Sequence, residues 1–301
     1  MAINNGDTRI AIVAETTTGV TPATPAFLLV DHLPGSKIAE QGDSSSSNTR
    51  KAGRTSSGQV VSGRRAEGTV QCELKRDPAT ELLLASAFCG VWTGDVLKGG
   101  KTDTSFTVEQ TFYDGASSST RRATGVQAGF SLECEYNGFA QATFELLGLG
   151  IEHEAEPIAD ATYQDASTKP FIRGEKVTNV KIGGLTDIIP TKLSLSVMPE
   201  REAKGGFGSL SAAFIGTGKK QVEGSLTFLA SDLAGMNLTG ERIDISFQME
   251  VGANGYSFSI PVAAVGVVTD NEDGTALEIE VPFVADRDDA TETDIVLTRL
   301  S

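Results

Sequence analysis

Apolar and polar residues alternate with a period of two along much of the chain. Phe130, Leu132, Cys134 and Tyr136 form one alternating run, and Ala140, Ala142, Phe144 and Leu146 form another; Asn137-Gly138 lies between them. An Asn-Gly pair between two such runs predicts a β-hairpin, because both residues tolerate the left-handed backbone of a tight turn. Phe247, Met249 and Val251 are followed by Gly252-Ala253-Asn254-Gly255 and then Tyr256, Phe258 and Ile260, which predicts a second hairpin turning at Asn254-Gly255. Asp273-Gly274 precedes Leu277, Ile279, Val281 and Phe283, with Glu278 and Glu280 on the opposite face. Strict alternation gives each strand one buried face and one wet face.

One stretch follows helical rules instead. Asp77 is placed to cap, Pro78 suits the first turn, Glu81 favours the positive end, and Leu82 to Phe88 is apolar. The expected helix runs from Pro78 to Cys89 and stops at Gly90. A weaker helical turn is expected from Ser231 to Leu238, before Gly240. Residues 41–66 fit neither pattern. They are rich in Ser and Gly, almost free of large apolar groups, and carry Arg50, Lys51, Arg54, Arg64 and Arg65 against Asp43. Such a segment cannot bury a core alone and is expected to be mobile in an isolated subunit. It reads either as a passive surface loop or as a basic arm that docks on another copy of this acidic chain.

The two halves echo each other. Arg65-Ala66-Glu67-Gly68-Thr69-Val70 is similar to Gln221-Val222-Glu223-Gly224-Ser225-Leu226, and each is followed by a helical turn. Ser105-Phe106-Thr107-Val108 is similar to Ser257-Phe258-Ser259-Ile260, and each half closes on a turn hairpin, at Asn137-Gly138 and at Asp273-Gly274. A repeat of this order predicts two related β domains, residues 1–155 and 156–301.

Composition narrows the function. The 301 residues carry a net charge of −15, with residues 1–150 near −3 and residues 151–301 near −12. Proteins that grip nucleic acid are usually basic, because phosphate contacts supply most of the affinity, so tight DNA binding is not expected. No apolar run approaches the ~18–20 residues of a membrane helix, so no membrane insertion is expected, and the polar start from Met1 to Gly6 does not resemble a secretory signal. The three cysteines, Cys72, Cys89 and Cys134, show no C-x-x-C spacing and read as small buried hydrophobes.

Catalytic patterns do not emerge. His32 and His153 lie far apart without a G-x-S-x-G serine or paired cysteine. Gly216-Thr217-Gly218-Lys219-Lys220 lacks the leading Gly and the trailing Ser/Thr of a phosphate loop and reads as a polar turn. In Asp270-Asn271-Glu272-Asp273-Gly274 the Gly falls one position early for a calcium loop. Neither catalysis, nor a cofactor, nor a metal is expected.

The order of features resembles the tail tube (major tail) proteins of long-tailed, siphovirus-type bacteriophages. Ile10 to Phe27, with Glu15-Thr16-Thr17-Thr18-Gly19-Val20-Thr21-Pro22 at its centre, is similar to that family's entry strand and turn. Arg64 to Leu74, the helix from Asp77 to Gly90 and Trp92 resemble its strand-helix unit. Gly125 to Leu132, Ala142 to Phe144, Leu193 to Val197, Gly224 to Phe228 and Leu277 to Phe283 continue the resemblance; Thr120 to Gly125 departs from it.

The resemblance implies a mostly β protein, an antiparallel β-sandwich or barrel with a flanking helix, duplicated in two halves. It implies rings that stack into a tube, a channel through which double-stranded DNA passes transiently, and contacts with tape measure, tail tip and terminator proteins in the virion. An acidic wall would let DNA slide without sticking. The candidate wall residues are Glu133, Glu135, Glu145, Glu278 and Glu280, and the candidate inter-ring contacts are Arg50, Lys51, Arg54, Arg64 and Arg65. Two complete ring-forming halves would make a trimer with pseudo-sixfold symmetry, which the repeat favours; a peripheral second half would make a hexamer. The competing class is a β-sandwich binding module, a decoration or host-recognition protein, which would expose an aromatic platform; Trp92 is the only tryptophan.

Overall fold

In this computed structural model, residues 8–49, 53, 55, 58–114, 117–186, 188–252, 254–271 and 276–300 are described. The first half contains β1 (Thr8–Ala14), β2 (Ala26–Val30), β3 (Lys37–Ser46), β4 (Gln59–Glu73), α1 (Pro78–Ala87), β5 (Val96–Lys98), β6 (Phe106–Asp114), β7 (Ser117–Glu135), β8 (Gln141–Gly148) and β9 (Gly150–Glu152). The second contains β10 (Thr162–Gln164), β11 (Val177–Ile182), β12 (Ile189–Lys204), β13 (Phe214–Leu229), β14 (Arg242–Val251), β15 (Asn254–Val265), β16 (Thr269–Asn271), β17 (Glu278–Ala285) and β18 (Val296–Leu300). Short 3-10 turns lie at Gly174–Lys176 and Ala234–Leu238. The mostly β architecture with a flanking helix is therefore as the alternation demands.

One sheet crosses the whole chain. Its strands run β3-β4-β8-β7-β12-β13-β17-β16, every neighbouring pair antiparallel. It is not closed into a barrel: β3 and β16 stand at its ends. Opposite it lie two smaller sets. One is β2, β1, β6, the first half of β7 and β9. The other is β11, β14, the first part of β15, β18 and β5. Inward residues of both layers, among them Val70, Phe130, Phe144, Leu195, Val281, Phe106, Phe247 and Phe258, join in one continuous core. Phe130 sits at its centre, with ring centroids 5.4 Å from Phe144 and 6.3 Å from Phe88 of α1.

The helix begins as expected: Asp77 accepts a hydrogen bond from the Ala79 amide at 2.9 Å, and Pro78 occupies the first turn. Its end differs. Cys89, not Gly90, takes the left-handed conformation, at φ 49. The Cys89 amide returns to Ser86 O and the Gly90 amide to Ala85 O, so the last carbonyls are satisfied. Gly90 is needed for another reason: a Cβ there would lie 2.2 Å from Lys98 O.

The entry motif is a hydrogen-bonded knot. The Glu15 carboxylate accepts from the Gly19 amide at 2.8 Å, Ser105 Oγ at 2.9 Å, Thr107 Oγ1 at 2.8 Å and the Gly125 amide at 2.9 Å. It ties the first strand to β6 and β7, which explains why Glu15, Gly19 and Gly125 occur together in one sequence.

Four local expectations are corrected. The β14–β15 hairpin exists, but Val251 already pairs with Asn254, so Asn254 and Gly255 belong to the strand and the turn falls before them. Gly252 supplies the positive φ of 63, whereas a Cβ on Gly255 would lie 2.1 Å from Met249 O. Residues 216–220 lie within β13 rather than in a turn. Segment 41–66 is not a loop throughout: Gln41 to Ser46 pair with Arg65 back to Gln59, because backbone hydrogen bonds sustain a two-stranded ladder without a core beneath it. Arg50, Lys51 and Arg54 lie outside the described residues, as do Asp273 and Gly274.

The fourth correction concerns which strands correspond between halves. β4 pairs with β8 as β13 pairs with β17; β6 pairs with β1 as β14 pairs with β11; β7 pairs with β9 as β15 pairs with β18. Hydrogen-bond order thus matches β6 to β14, not to the strand carrying Ser257 to Ile260. It matches β12, with Leu193 to Val197, to β3 rather than to β7. Short alternating strands look alike in sequence, and only their partners distinguish them. The strongest sequence match survives: Gly68 faces Ile38 and Leu146, and Gly224 faces Leu195 and Phe283. A Cβ on either would lie 2.2 Å from the carbonyl oxygen of Lys37 or of Ser194, respectively.

Candidate functional site

The long sheet turns its apolar residues to the core, which leaves its other face to solvent. That face gathers side chains from six strands in rows across the sheet. Thr69, Glu145 and Gly129 stand side by side, as do Gln71, Thr143, Ser131, Ser196 and Glu223. Further along come Gln141, Glu133, Ser194 and Ser225, and then Glu135, Lys192, Thr227 and Glu280. Glu278 follows one row on, paired across to Leu229. All five sequence-chosen glutamates, Glu133, Glu135, Glu145, Glu278 and Glu280, therefore share one face of one sheet.

Charge on this face is mostly uncompensated. Lys192 Nζ lies 3.5 Å from Glu135, with both side chains more than half exposed, so the pair contributes little. Thr191 Oγ1 lies 3.5 Å from Glu278. A shallow groove between β7, β12, β13 and β17 is bordered by Glu133, Glu135, Glu278, Glu280 and Lys192. The intervening residues are small hydroxyls, Ser194, Ser225, Ser131, Ser196 and Thr227, which give a smooth surface with few hydrogen-bonding groups that reach far.

Glu67, Glu73, Glu223 and Lys37, none of them among the sequence-chosen residues, lie on the same face, as does Arg65, which the sequence assigned to inter-ring contact. The signal was available: in Ala66-Glu67-Gly68-Thr69-Val70-Gln71-Cys72-Glu73 the buried Ala66, Val70 and Cys72 set the parity that sends both acids outward. Arg65 Nε donates to Glu67 at 2.5 Å and its guanidinium lies 3.5 Å from Asp43, and the hydrogen bond it donates to Glu67 raises its pKa further above the ordinary arginine value. Arg64 lies 3.7 Å from Glu40, and its backbone amide and carbonyl bond to Leu210 O and the Ala212 amide. The two bases at the foot of the β3–β4 arm thus have partners within the chain.

The groups that could have supported other chemistry are occupied in the framework. His32 Nδ1 is 3.1 Å from Val30 O, and His153 lies 3.7 Å from Glu40. Burial pushes the Cys72 thiol up to about 12 and the Cys134 thiol up to about 11, which keeps both protonated and unreactive at neutral pH. Trp92 is no exposed platform: its Nε1 donates to Glu81 O at 3.0 Å, and the Arg299 guanidinium stacks 3.9 Å from its ring centroid. Among the described residues no cluster of three or more His, Cys, Asp or Glu is arranged to hold a metal ion.

No curated protein matches this chain. The family described as phage tail tube protein matches residues 6–285, nearly its full length. The wet-faced, open sheet and the sequence match agree, and the chain belongs to the phage tail tube protein family, structural components of the virion that assemble into a stacked tube.

Proposed function

We propose that three copies of this chain form each ring of the tube, with the glutamate-bearing sheet face turned to the channel through which double-stranded DNA leaves the particle. The observation that carries this reading is the continuity of the sheet through both halves. β7 and β12 pair from Phe130–Val197 to Glu135–Lys192, so the second half extends the sheet and is not a peripheral appendage. Each half contributes one four-stranded set, β3-β4-β8-β7 or β12-β13-β17-β16.

Barrel arithmetic supports three copies. With strands about 4.8 Å apart and tilted by 0–45°, twenty-four strands enclose a backbone diameter of roughly 37–52 Å. Forty-eight strands would enclose roughly 73–104 Å. Once side chains line the wall, the smaller barrel leaves a passage matched to a DNA duplex, roughly 20 Å across. The larger one leaves the duplex loose. Eight strands per chain then means three chains, with the two halves as related domains, 1–155 and 156–301, around a pseudo-sixfold axis.

An acidic wall suits passage rather than binding. Carboxylates facing phosphates repel them, the intervening serine and threonine side chains carry no charge, and Lys192 and Arg65 lie beside Glu135 and Glu67, so the duplex does not stick. The outer layer, α1 and the two smaller strand sets, stiffens the ring. The β3–β4 arm, whose sequence between the two strands includes Arg50, Lys51 and Arg54, reaches an adjacent ring; exposed ion pairs are worth only ~0–1 kcal/mol each, so ordering of the arm against its neighbour supplies most of the contact energy. Tape measure, tail tip and terminator proteins meet the tube along its channel and at its ends.

Symmetry averaging of electron-microscope images of tubes assembled from purified protein tests this reading. Three subunits per ring, each with two similar lobes, is the expected result. Six whole chains per ring, or a glutamate face turned outward, would overturn it.

A further inference from the structure

The β3–β4 ladder breaks at one place. Gln41 pairs with Arg65 and Asp43 with Ser62, so Gly42 alone stands opposite Gly63 and Arg64. Two residues against one make a β-bulge, which bends the ladder and leaves the extra residue without a ladder partner. Gly63 takes the left-handed backbone of such a bend, at φ 61, and a Cβ there would lie 2.9 Å from Asp43 Oδ2. Beyond the bulge, every described residue from Gly42 to Thr49 and from Gly58 to Ser62 is exposed. Packing on the body therefore does not fix the direction of the arm.

The bend is held from the other half of the chain. The Arg64 amide donates to Leu210 O at 2.9 Å, and Arg64 O accepts from the Ala212 amide at 2.8 Å, a parallel bridge centred on Ser211. Leu210 to Ala212 belong to the turn between β12 and β13. Of residues 204–214 only Ser211 and Ala212 are not exposed, so the turn rests on the body where it meets Arg64. The Arg65 guanidinium ties the same place on the wet face: it donates to Glu67 on one side of the bulge, and to Gly63 O at 3.4 Å and Asp43 at 3.5 Å on the other. We propose that the β12–β13 turn is a brace for the β3–β4 arm, so that the second half of each chain aims the arm of the first. This rests on the reading of the arm as a stacking contact.

A bulge alone is a hinge, because the backbone groups it frees turn to water. Here the amide and the carbonyl of Arg64 are both paired with the turn, and Arg65 joins the residues on either side of the pivot. The arm is thus pointed before it meets a neighbour, and less orientational freedom is lost on contact. The brace also links the halves: it exists only where β12 and β13 have paired, since the Ala213 amide closes the turn on Lys204 O at 2.8 Å. A chain whose second half has not folded would carry an arm with no fixed direction.

The test measures electron spin–spin distances in the unassembled subunit, with labels on Ser46→Cys in the arm and on Gln221→Cys across the sheet in β13; the native cysteines are buried. Ala212→Pro removes the amide that holds Arg64 O. Expected is a distance distribution wider by about twofold or more than without that substitution. Phe207→Ser, in the same turn with its backbone bonds intact, should leave the width unchanged. An unchanged width in Ala212→Pro, or equal widening in Phe207→Ser, would overturn the brace. If Ala212→Pro does not fold, hydrogen exchange on the wild-type subunit decides: the Arg64 amide should exchange about tenfold or more slowly than in an unstructured peptide, and exchange at the unstructured rate overturns the assignment. Neither readout needs a tube. If replacing residues 47–58 leaves stacking normal, the stacking role of the arm is overturned, while the distances still decide the brace.

Discussion

Replacing Gly224 by alanine places a methyl group where the fold has no room. Its Cβ would lie 2.2 Å from Ser194 O and 2.9 Å from the Phe283 ring. The ring can tilt, but the carbonyl belongs to β12, which is locked between β13 and β7. Relief requires β12 to move by about 1 Å, straining both ladders, so the cost belongs at the upper end of overpacking, about 3 kcal/mol. For a chain of this length that lowers Tm by about 5 °C. Gly68→Ala meets Lys37 O at the same 2.2 Å, but β3 is an edge strand and can swing outward, so the expected loss is smaller, about 1–2 kcal/mol. Urea unfolding of the unassembled subunit, followed by circular dichroism, measures both, with Ser225→Ala as a neighbouring control. A loss under about 0.5 kcal/mol for Gly224→Ala, or a larger loss for Gly68→Ala, would refute the argument that close backbone approach at the locked strand dictates glycine.

Glu278→Lys with Glu280→Lys should leave tubes intact and slow DNA release in an ejection assay, since the substitution turns repulsion from phosphate into attraction; unchanged release would place these side chains away from the channel. Replacing residues 47–58 by an Asn-Gly turn should leave a subunit with unchanged thermal stability that forms single rings but not stacked tubes, as seen by electron microscopy; normal tubes would remove the arm from stacking. Cys72, whose folded pKa is pushed up by burial to about 12 against an ordinary 9.0, keeps its stabilising contribution below pH 9 and loses it as pH rises towards 12. Stability of a Cys72→Ala variant, measured against wild type from pH 8 to 11, should therefore fall less steeply; parallel curves would refute the assignment.

Much of this protein could be read from its sequence because a half-buried strand writes its own orientation. The alternation around Leu132 and Phe144 fixed which residues face inward, and by the same parity put Glu133, Glu135 and Glu145 on the wet side. Asp77-Pro78 placed the start of α1 because capping is a contact between neighbours in sequence. The entry motif around Glu15 carried the family resemblance, although its physical reason, four hydrogen bonds to one carboxylate, became visible only when Ser105, Thr107 and Gly125 were brought beside it.

What the sequence could not supply is who pairs with whom. A strand's partner depends on contacts far away in the chain, and short alternating strands carry almost no mark of their neighbours. Ser257 to Ile260 looks like Ser105 to Val108, yet the ladders assign them to different places. Residues 41–66 looked unstructured because they hold almost no large apolar groups, but a ladder needs only a partner strand, and Gln59 to Arg65 provide one. Only the tertiary structure joined β7 to β12, gathered acids from both halves onto one face, and set the β12–β13 turn beside Arg64 at the foot of the β3–β4 arm.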